Sequence, residues 1–278
     1  TFCRAVANFI YMILLDDYKR RQVVYRIGFN PIRIGLNPLR MARKNTVKKF
    51  MENSFYHLYN RGVDRREIFS ESQDYHTFLW LLKFYLSPFV PQARPGFKED
   101  KPSLVSHKQH MNLHGQMTLL AYCLMPNHFH LLVKQREAVG ITQLMRRICV
   151  NYSMYFNRKY ERKGSLFESI YKAVLIESES QLLHLSRYIH LNPLNLKVSR
   201  FGPVTTTTTA RPGEYEYSSY SKYLDRQALS WFDSQPILGM FGQGDNRHTS
   251  YQGFVEDYRV DSHSVLGPLV LEEEKEKR

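Results

Sequence analysis

A hairpin signal in the middle of the chain decides the fold. Residues 118–134 read TLLAYCLMPNHFHLLVK, which is two apolar runs separated by Met125, Pro126 and Asn127. Short apolar runs on either side of a turn that contains proline and asparagine are typical of two neighbouring antiparallel strands. We therefore expect strands over residues 118–124 and 128–134.

Before the hairpin, the sequence predicts one strand and one helix. Residues 55–60 are rich in aromatic side chains and stop at a glycine, Gly62, which predicts a strand. Apolar residues then recur at helical spacing as far as Leu86. We expect Ser70 or Ser72 to cap this helix, because serine is a preferred residue at a helix N-terminus.

After the hairpin, the alternation of strands and helices continues. Apolar positions follow the 3.6-residue period over residues 141–156, which predicts a long amphipathic helix that ends near Gly164. Residues 171–176 predict a further strand. A last helix follows, for which Ser178 or Ser180 is the expected cap and a proline the expected stop.

The predicted order of elements is β-α-β-β-α-β-α. With a split βαβ arrangement, this order suggests an α+β fold with a ferredoxin-like antiparallel sheet and helices packed on it. We expect the main domain to cover residues 41–200, with a long polar loop over residues 88–117. We assign residues 201–278 to a threonine-rich linker and an accessory C-terminal segment that packs through its aromatic side chains.

The first forty residues differ from the rest of the chain. The string RIGFNPI at residues 26–32 is followed at once by RIGLNPL at residues 33–39. A tandem duplication without further repeats is more typical of translated repeat DNA than of a folded module. Because MARK at Met41 would make a normal start, we expect residues 1–40 to be upstream translation or a disordered arm.

The charge of the chain indicates the class of its partner. The 278 residues include 39 Lys and Arg against 26 Asp and Glu, a formal net charge of +13, which favours nucleic acid or an anionic membrane. The longest apolar run, Ala5 to Leu15, is too short for a bilayer, which needs about twenty apolar residues. We expect no membrane association and, with only three cysteines, a cytoplasmic location.

The first candidate site is the His128-Phe129-His130 string on the second strand of the hairpin. Residues two apart on a strand point to the same face, so the two imidazoles project together and Phe129 enters the opposite side. Two imidazoles placed in this way can hold a divalent metal. For an isolated string of this kind, two packing or exposed histidines are the more common explanation.

The second candidate site lies on the last predicted helix. Tyr188 and Asn192 are four residues apart and share a helix face, and an asparagine oxygen suits a hard cation such as Mg²⁺ or Mn²⁺. A tyrosine beside a metal-polarised phosphate can attack phosphorus and leave a covalent phosphotyrosine. Taken singly, Tyr188 is better explained as a packing residue, and Asn192 as a C-cap before Pro193. We expect His190 to be structural or to face DNA.

Several separated strings, arriving in order, resemble a known family. LMPNHFHLL at residues 124–132, GSLFESIYK at 164–172 and YIHLNP at 188–193 resemble the single-tyrosine HUH transposases. The nearest branch is that of the REP-associated tyrosine transposases and the insertion-sequence transposases similar to them. FYHLYNRG at residues 55–62 and the tail from residue 215 also fit, so that the resemblance covers most of residues 45–260.

This resemblance implies a ferredoxin-like HUH transposase catalytic domain over residues 41–200. It implies that His128 and His130, helped by Asn192, hold Mg²⁺ or Mn²⁺. It also implies that Tyr188 cuts single-stranded DNA at a hairpin-flanked site, keeps the 5′ phosphate in a covalent link and then allows rejoining without ATP. The sequence does not decide whether the site lies within one chain or across a homodimer.

Basic residues on and after the long helix are candidates for DNA contacts. Six of them could grip phosphates, and tyrosines together with Trp231 could stack on unpaired bases. For each basic residue, a solvated helix face is the alternative explanation. The six residues are Arg146, Arg147, Arg158, Lys159, Arg162 and Lys163.

Three functions compete at this point. The leading one is a transposase that nicks and joins DNA strands, and the second is a non-catalytic hairpin-binding protein on the same scaffold. The third is an unrelated metal-dependent phosphoesterase that acts by water attack and does not need Tyr188. The joint presence of His128, His130, Tyr188 and Asn192 favours catalysis, since a protein that only binds DNA has no need of all four.

Overall fold

A computed structural model of the chain describes five stretches, residues 50–88, 112–195, 211–225, 229–242 and 246–257. The expected arm over residues 1–40 lies outside the described residues. Most of the expected loop over residues 88–117 and the threonine-rich linker also lie outside them.

The strands form one four-stranded antiparallel sheet in the order β2-β3-β1-β4. This order, together with the β-α-β-β-α-β sequence of elements, is that of a ferredoxin-like sheet, so the predicted α+β fold is confirmed. The strands are β1 (Ser54–Arg61), β2 (Met117–Met125), β3 (His128–Gln135) and β4 (Lys172–Ile176).

In the described stretches, three longer helices accompany the sheet, and shorter ones follow in the C-terminal part. The longer ones are α1 (Ser72–Leu86), α2 (Gly140–Lys159) and α3 (Glu179–Leu191), the last continued by a 3₁₀ turn (Asn192–Asn195). The shorter ones are α4 (Tyr220–Leu224), α5 (Gln235–Leu238) and α6 (Asn246–Glu256), with 3₁₀ turns over Val63–Arg65, Pro212–Glu214 and Gly239–Phe241.

The two faces of the sheet have different coverings. On one face, Phe129 packs on Phe78 of α1 with ring centroids 4.9 Å apart, and Phe78 also contacts Tyr152 of α2. On the other face, the His130 ring contacts Tyr188 of α3. Helix α3 therefore lies on the face opposite α1 and α2, because successive side chains of β3 point to opposite sides.

Two helix ends differ from the predictions. The N-cap of α1 is Glu71 rather than a serine, because the Asp74 carboxylate accepts hydrogen bonds from the backbone N–H of Ser70 (2.9 Å) and of Glu71 (3.1 Å). Helix α2 ends before Gly164, since Glu161 takes a left-handed conformation with φ of 49°. The cap of α3 is Ser178, as predicted.

The C-terminal aromatic residues pack into the core, as the sequence predicted. Tyr220 and Tyr223 are fully buried, and the Tyr223 hydroxyl donates to the Leu120 carbonyl of β2 (2.8 Å). The backbone N–H of Leu124 donates to the Tyr217 carbonyl (3.0 Å), so part of this segment lies along β2. Among the described residues, no helix combines the length and apolar character needed to cross a membrane.

Candidate active site

The two histidines of β3 share one face of the sheet, as the sequence predicted. In the antiparallel register with β1, His128 lies opposite Arg61 and His130 lies opposite Tyr59. Directly opposed residues in such a pair project to the same side. Phe129 points to the other side, where it is fully buried.

Helix α3 brings Tyr188 and Asn192 to these histidines. The side-chain oxygen of Asn192 lies 3.4 Å from Nε2 of His128. The ring of Tyr188 meets that of His130 edge to face, with centroids 5.5 Å apart and an interplanar angle of 83°. All four residues predicted for metal binding and nucleophilic attack therefore lie in one place.

Two asparagine side chains turn their oxygens towards the ring of His128. The amide nitrogen of Asn127 donates to the Arg65 carbonyl (3.4 Å), and that of Asn192 donates to the Tyr188 carbonyl (3.4 Å). Both side-chain oxygens consequently face His128, and the Asn127 oxygen lies 2.6 Å from its Nδ1. A carbonyl oxygen only accepts, so the neutral ring donates to one of the two oxygens, and the shorter contact favours a proton on Nδ1. In that tautomer the lone pair of Nε2 faces the Asn192 oxygen, and a cation between the two acceptors would satisfy both.

The second histidine also presents an unpaired nitrogen. His130 is fully buried, with its Nδ1 2.9 Å from Nε2 of His57, and its own Nε2 has no hydrogen-bond partner among the residues that the structure describes. Burial lowers the pKa of His128 to about 4 and lowers the pKa of His130 well below its ordinary value. Both imidazoles are therefore neutral near pH 7 and keep the lone pairs that a metal needs.

These donors fit a divalent cation, although they form an incomplete shell. Two imidazole nitrogens and one amide oxygen are acceptable ligands, and a hard cation fills its remaining positions with water or phosphate oxygens. Within the described stretches, no group of three or more His, Cys, Asp or Glu side chains is suited to a metal ion. The candidate metal site depends on Asn192 for its third ligand.

The residues predicted to contact DNA do not all lie on the side of the sheet that carries the histidines. Arg146, Arg147 and Arg158 belong to α2, on the face opposite the histidines. The Lys159 ammonium bonds to the carboxylates of Asp74 (2.7 Å) and Glu71 (3.1 Å), so its charge is already paired.

Arg162 and Lys163 follow α2 in the chain. They belong to the loop that leads to Phe167, and Phe167 bridges Gly62 just beyond the end of β1. This is the end of the sheet where β3 begins, so these two cations lie on the same end as His128. The Arg162 guanidinium also bonds to the Asn157 side-chain oxygen (3.1 Å).

Two cations beside the histidines were not predicted from the sequence. Arg61 lies opposite His128 and donates through Nε to Glu168 (2.9 Å), and exposed Lys172 lies opposite Tyr59 on β4. The two-residue period of β1 could have predicted the position of Arg61, because it places Arg61 on the same face as Tyr59. Trp231 is 9% exposed and packs against Tyr122, which argues against its predicted role in stacking on bases.

His190 is structural, which was one of its two expected roles. It is fully buried, and its ring nitrogens lie 2.7 Å from the Tyr251 hydroxyl and 2.8 Å from the Ser219 hydroxyl. These contacts join α3 to the C-terminal segment. The helix that carries Tyr188 is thus held from both sides, by the sheet and by residues far along the chain.

Comparisons with known proteins found one family model and a similar solved structure. Residues 89–192 match the family model described as transposase, IS200 like. A solved structure of the REP-associated tyrosine transposase bound to a REP hairpin is similar, with a TM-score of 0.42 and 13% sequence identity, covering 69% of this chain and 93% of that one. No curated protein matches the sequence. The matched segment, residues 89–192, holds both histidines, Tyr188 and Asn192, so this part of the chain is similar to the IS200-like transposases.

Proposed function

We propose that this transposase nicks single-stranded DNA at hairpin-flanked sites, with a metal ion and a covalent 5′-phosphotyrosine on Tyr188, and then rejoins strands. The observation that supports it most is the unpaired Nε2 of His130 beside the facing acceptors of His128 and Asn192. Tyr188 lies directly against this group of acceptors. A non-catalytic DNA-binding protein has no use for such an arrangement.

The metal would be Mg²⁺ or Mn²⁺, held by His128 Nε2, His130 Nε2 and the Asn192 oxygen. When bound, such an ion polarises a phosphate and offsets the charge that develops during its cleavage. The chain's own residues keep the ligand nitrogens unprotonated, since both imidazoles are buried and neutral. Asn127 fixes the tautomer of His128 through its side-chain oxygen.

Tyr188 supplies the nucleophile. Its phenolic oxygen forms a bond to phosphorus while the bond from phosphorus to the 3′ oxygen breaks, and the phenolic proton is lost to solvent as the leaving 3′ oxygen takes up a proton. The 5′ phosphate stays on the tyrosine. Attack by a 3′ hydroxyl reverses the exchange and frees Tyr188, so one phosphodiester bond replaces another and no ATP is needed.

Single-stranded DNA is the expected substrate. Arg61 and Lys172 project to the same face as the histidines, and Arg162 and Lys163 lie at the same end of the sheet. Cations beside a site of phosphoryl chemistry attract the DNA backbone and lower its repulsion from a nucleophile. The sequence resemblance to the REP-associated tyrosine transposases favours a hairpin-bearing strand as the form of that DNA.

Formation of a covalent adduct tests the proposal. Full-length protein is incubated with a labelled single-stranded hairpin oligonucleotide and Mn²⁺, and the products are separated on a denaturing gel. We expect a protein–DNA adduct that is lost in Tyr188→Phe and in the presence of EDTA. Tyr217→Phe is the matched control, because this half-buried tyrosine packs on Tyr75 away from the histidines, and we expect it to keep the adduct.

The other outcomes would each contradict the proposal. Binding of the hairpin with neither cleavage nor adduct would indicate the non-catalytic binding protein. Cleavage without an adduct, equal in the wild type and in Tyr188→Phe, would indicate a phosphoesterase that uses water.

A further inference from the structure

A buried pair of histidines joins β1 to the candidate active site. His57 and His130 are both fully buried, with Nε2 of His57 2.9 Å from Nδ1 of His130. Their rings are nearly parallel, at 20°, and their centroids are 5.0 Å apart. His57 lies outside the segment that matches the family model.

The contacts of His130 determine which nitrogen of each ring carries the proton. If His57 Nε2 donated to His130, the proton of His130 would have to sit on its Nε2, where there is no acceptor. A buried N–H without an acceptor is unfavourable, and no cation can satisfy it. With the proton on Nδ1 instead, His130 donates to His57 Nε2, and its own Nε2 keeps a lone pair.

We propose that His57 is a positioning residue for the metal ligand His130, and this inference rests on the proposed function. His57 accepts the Nδ1–H of His130 and so keeps the other nitrogen, Nε2, deprotonated and available to a metal. Histidine ligands generally donate their second N–H to an acceptor that fixes tautomer and ring angle. Here a second imidazole takes the place of the usual carboxylate or carbonyl.

The surroundings of the pair favour this role over direct metal binding by His57. Its Nε2 is already directed at His130 Nδ1. The Tyr59 ring lies against both imidazoles, with centroids 4.7 Å from His57 and 5.9 Å from His130, which limits rotation of either ring. His57 therefore acts on the metal only through His130.

The tautomer of His130 can be measured directly in the metal-free wild-type protein. Long-range ¹H–¹⁵N correlation spectra of protein labelled at histidine distinguish the two neutral tautomers, and the His130 signals are assigned by their loss in His130→Gln. We expect the Nδ1–H tautomer at His130. An Nε2–H tautomer would overturn the inference, whatever the activity of the enzyme.

Substitutions at His57 test the consequence for metal binding. Mn²⁺ affinity is measured on the full chain by electron paramagnetic resonance. We expect His57→Phe, which removes the acceptor, to weaken Mn²⁺ binding about 10- to 100-fold. His57→Gln, whose amide oxygen can accept the Nδ1–H, should remain within about threefold of the wild type. His76→Phe, an exposed histidine of α1 on the opposite side of the sheet, is the control and should bind as the wild type does.

Equal losses in the Phe and Gln variants, or no loss in a folded Phe variant, would overturn the inference. If circular dichroism shows that His57→Phe does not fold, the Mn²⁺ affinity of His57→Gln and the tautomer of His130 in the wild type still test the positioning role of His57. A different result would contradict the proposed function, which requires that the wild type bind Mn²⁺ and form an adduct. The wild type could lack both Mn²⁺ binding and the adduct while His130 still shows the Nδ1–H tautomer.

Discussion

The side-chain oxygen of Asn192 lies 3.4 Å from Nε2 of His128, and that of Asn127 lies 2.6 Å from Nδ1 of the same ring. Because the amide nitrogens of Asn127 and Asn192 each donate to a backbone carbonyl, the turn before β3 and the end of α3 hold both oxygens towards His128. With the His128 proton on Nδ1, a cation bound between Nε2 and the Asn192 oxygen would satisfy both acceptors.

Changing the charge and donor capacity at residue 192 should change metal affinity in a defined order. A carboxylate is a better ligand for Mn²⁺ than an amide, so Asn192→Asp should bind Mn²⁺ more tightly than the wild type. Asn192→Leu, which lacks an oxygen, should bind it at least about tenfold more weakly. Paramagnetic resonance titration gives the order, and equal affinity in all three proteins would exclude residue 192 as a ligand.

Loss of the Tyr251 hydroxyl should destabilise the fold. This buried hydroxyl lies 2.7 Å from His190 Nδ1 and 3.0 Å from the Ser186 hydroxyl. Its removal leaves buried polar groups unsatisfied, so Tyr251→Phe should lower the free energy of unfolding by about 1–3 kcal/mol. Urea denaturation measures this change. Tyr217→Phe loses only an exposed hydrogen bond to Ser72 and should cost less than about 1 kcal/mol.

The buried histidines should make the protein less stable as pH falls. Burial lowers the pKa of His190 to about 3 and that of His128 to about 4, whereas an unfolded histidine titrates near 6.5. Between about pH 6.5 and 4 the unfolded state therefore binds protons that the folded state does not. The contribution of each neutral histidine to the free energy of unfolding is complete above pH 6.5. It decreases towards pH 4 by up to about 1.4 kcal/mol per pH unit.

The contribution of His190 to this pH dependence can be isolated. Free energies of unfolding from urea titrations at pH 7, 6 and 5 should give an average slope that is smaller in His190→Gln by about 1 kcal/mol per pH unit, because the unfolded histidine is only partly protonated above pH 6. The comparison of slopes removes the part due to carboxylates, which both proteins share. An unchanged slope would mean that His190 is not buried as a neutral group.

Gly62 should not tolerate a side chain. It has an ordinary φ of −63°, so the restriction is one of space: an added Cβ would overlap the carbonyl oxygen of Arg66 and lie 2.9 Å from Cγ2 of Ile68. Gly62→Ala should lower the free energy of unfolding by about 1–3 kcal/mol. Gly239→Ala is the control, since nothing lies within 4 Å of its added Cβ, and its effect should stay within about 0.5 kcal/mol. Thermal or urea denaturation measures both.

The two faces of the sheet should contribute unequally to DNA binding. Replacing Arg61 and Lys172 by glutamine should reduce the slope of log affinity against log salt by about 1.4, the value for two contacts to single-stranded DNA. The same change at Arg146 and Arg158, on the opposite face, should have less effect. Fluorescence anisotropy of a labelled oligonucleotide over a range of salt concentrations measures both slopes. A larger effect from the α2 pair would place the DNA on the other face.

The sequence alone predicts the sheet and much of the site, because strand and helix periods place side chains on faces. The two-residue period puts His128 and His130 together, and the four-residue interval puts Tyr188 and Asn192 together. Periodicity within one segment cannot show which segments meet. The partner of His57 is 73 positions away, and the carboxylate that pairs with Lys159 is 85 positions away. Such contacts depend on the packing of whole elements.

The hydrogen bonds of His190 determine which truncated fragments of the protein keep the contacts of α3. A fragment cut near residue 200 retains every strand of the sheet, together with Tyr188 and both β3 histidines. It loses Ser219 and Tyr251, and with them both hydrogen-bond partners of His190, two positions from the tyrosine. The ferredoxin-like unit therefore does not contain all the contacts that hold α3, and the alignment of Tyr188 depends on the last quarter of the chain.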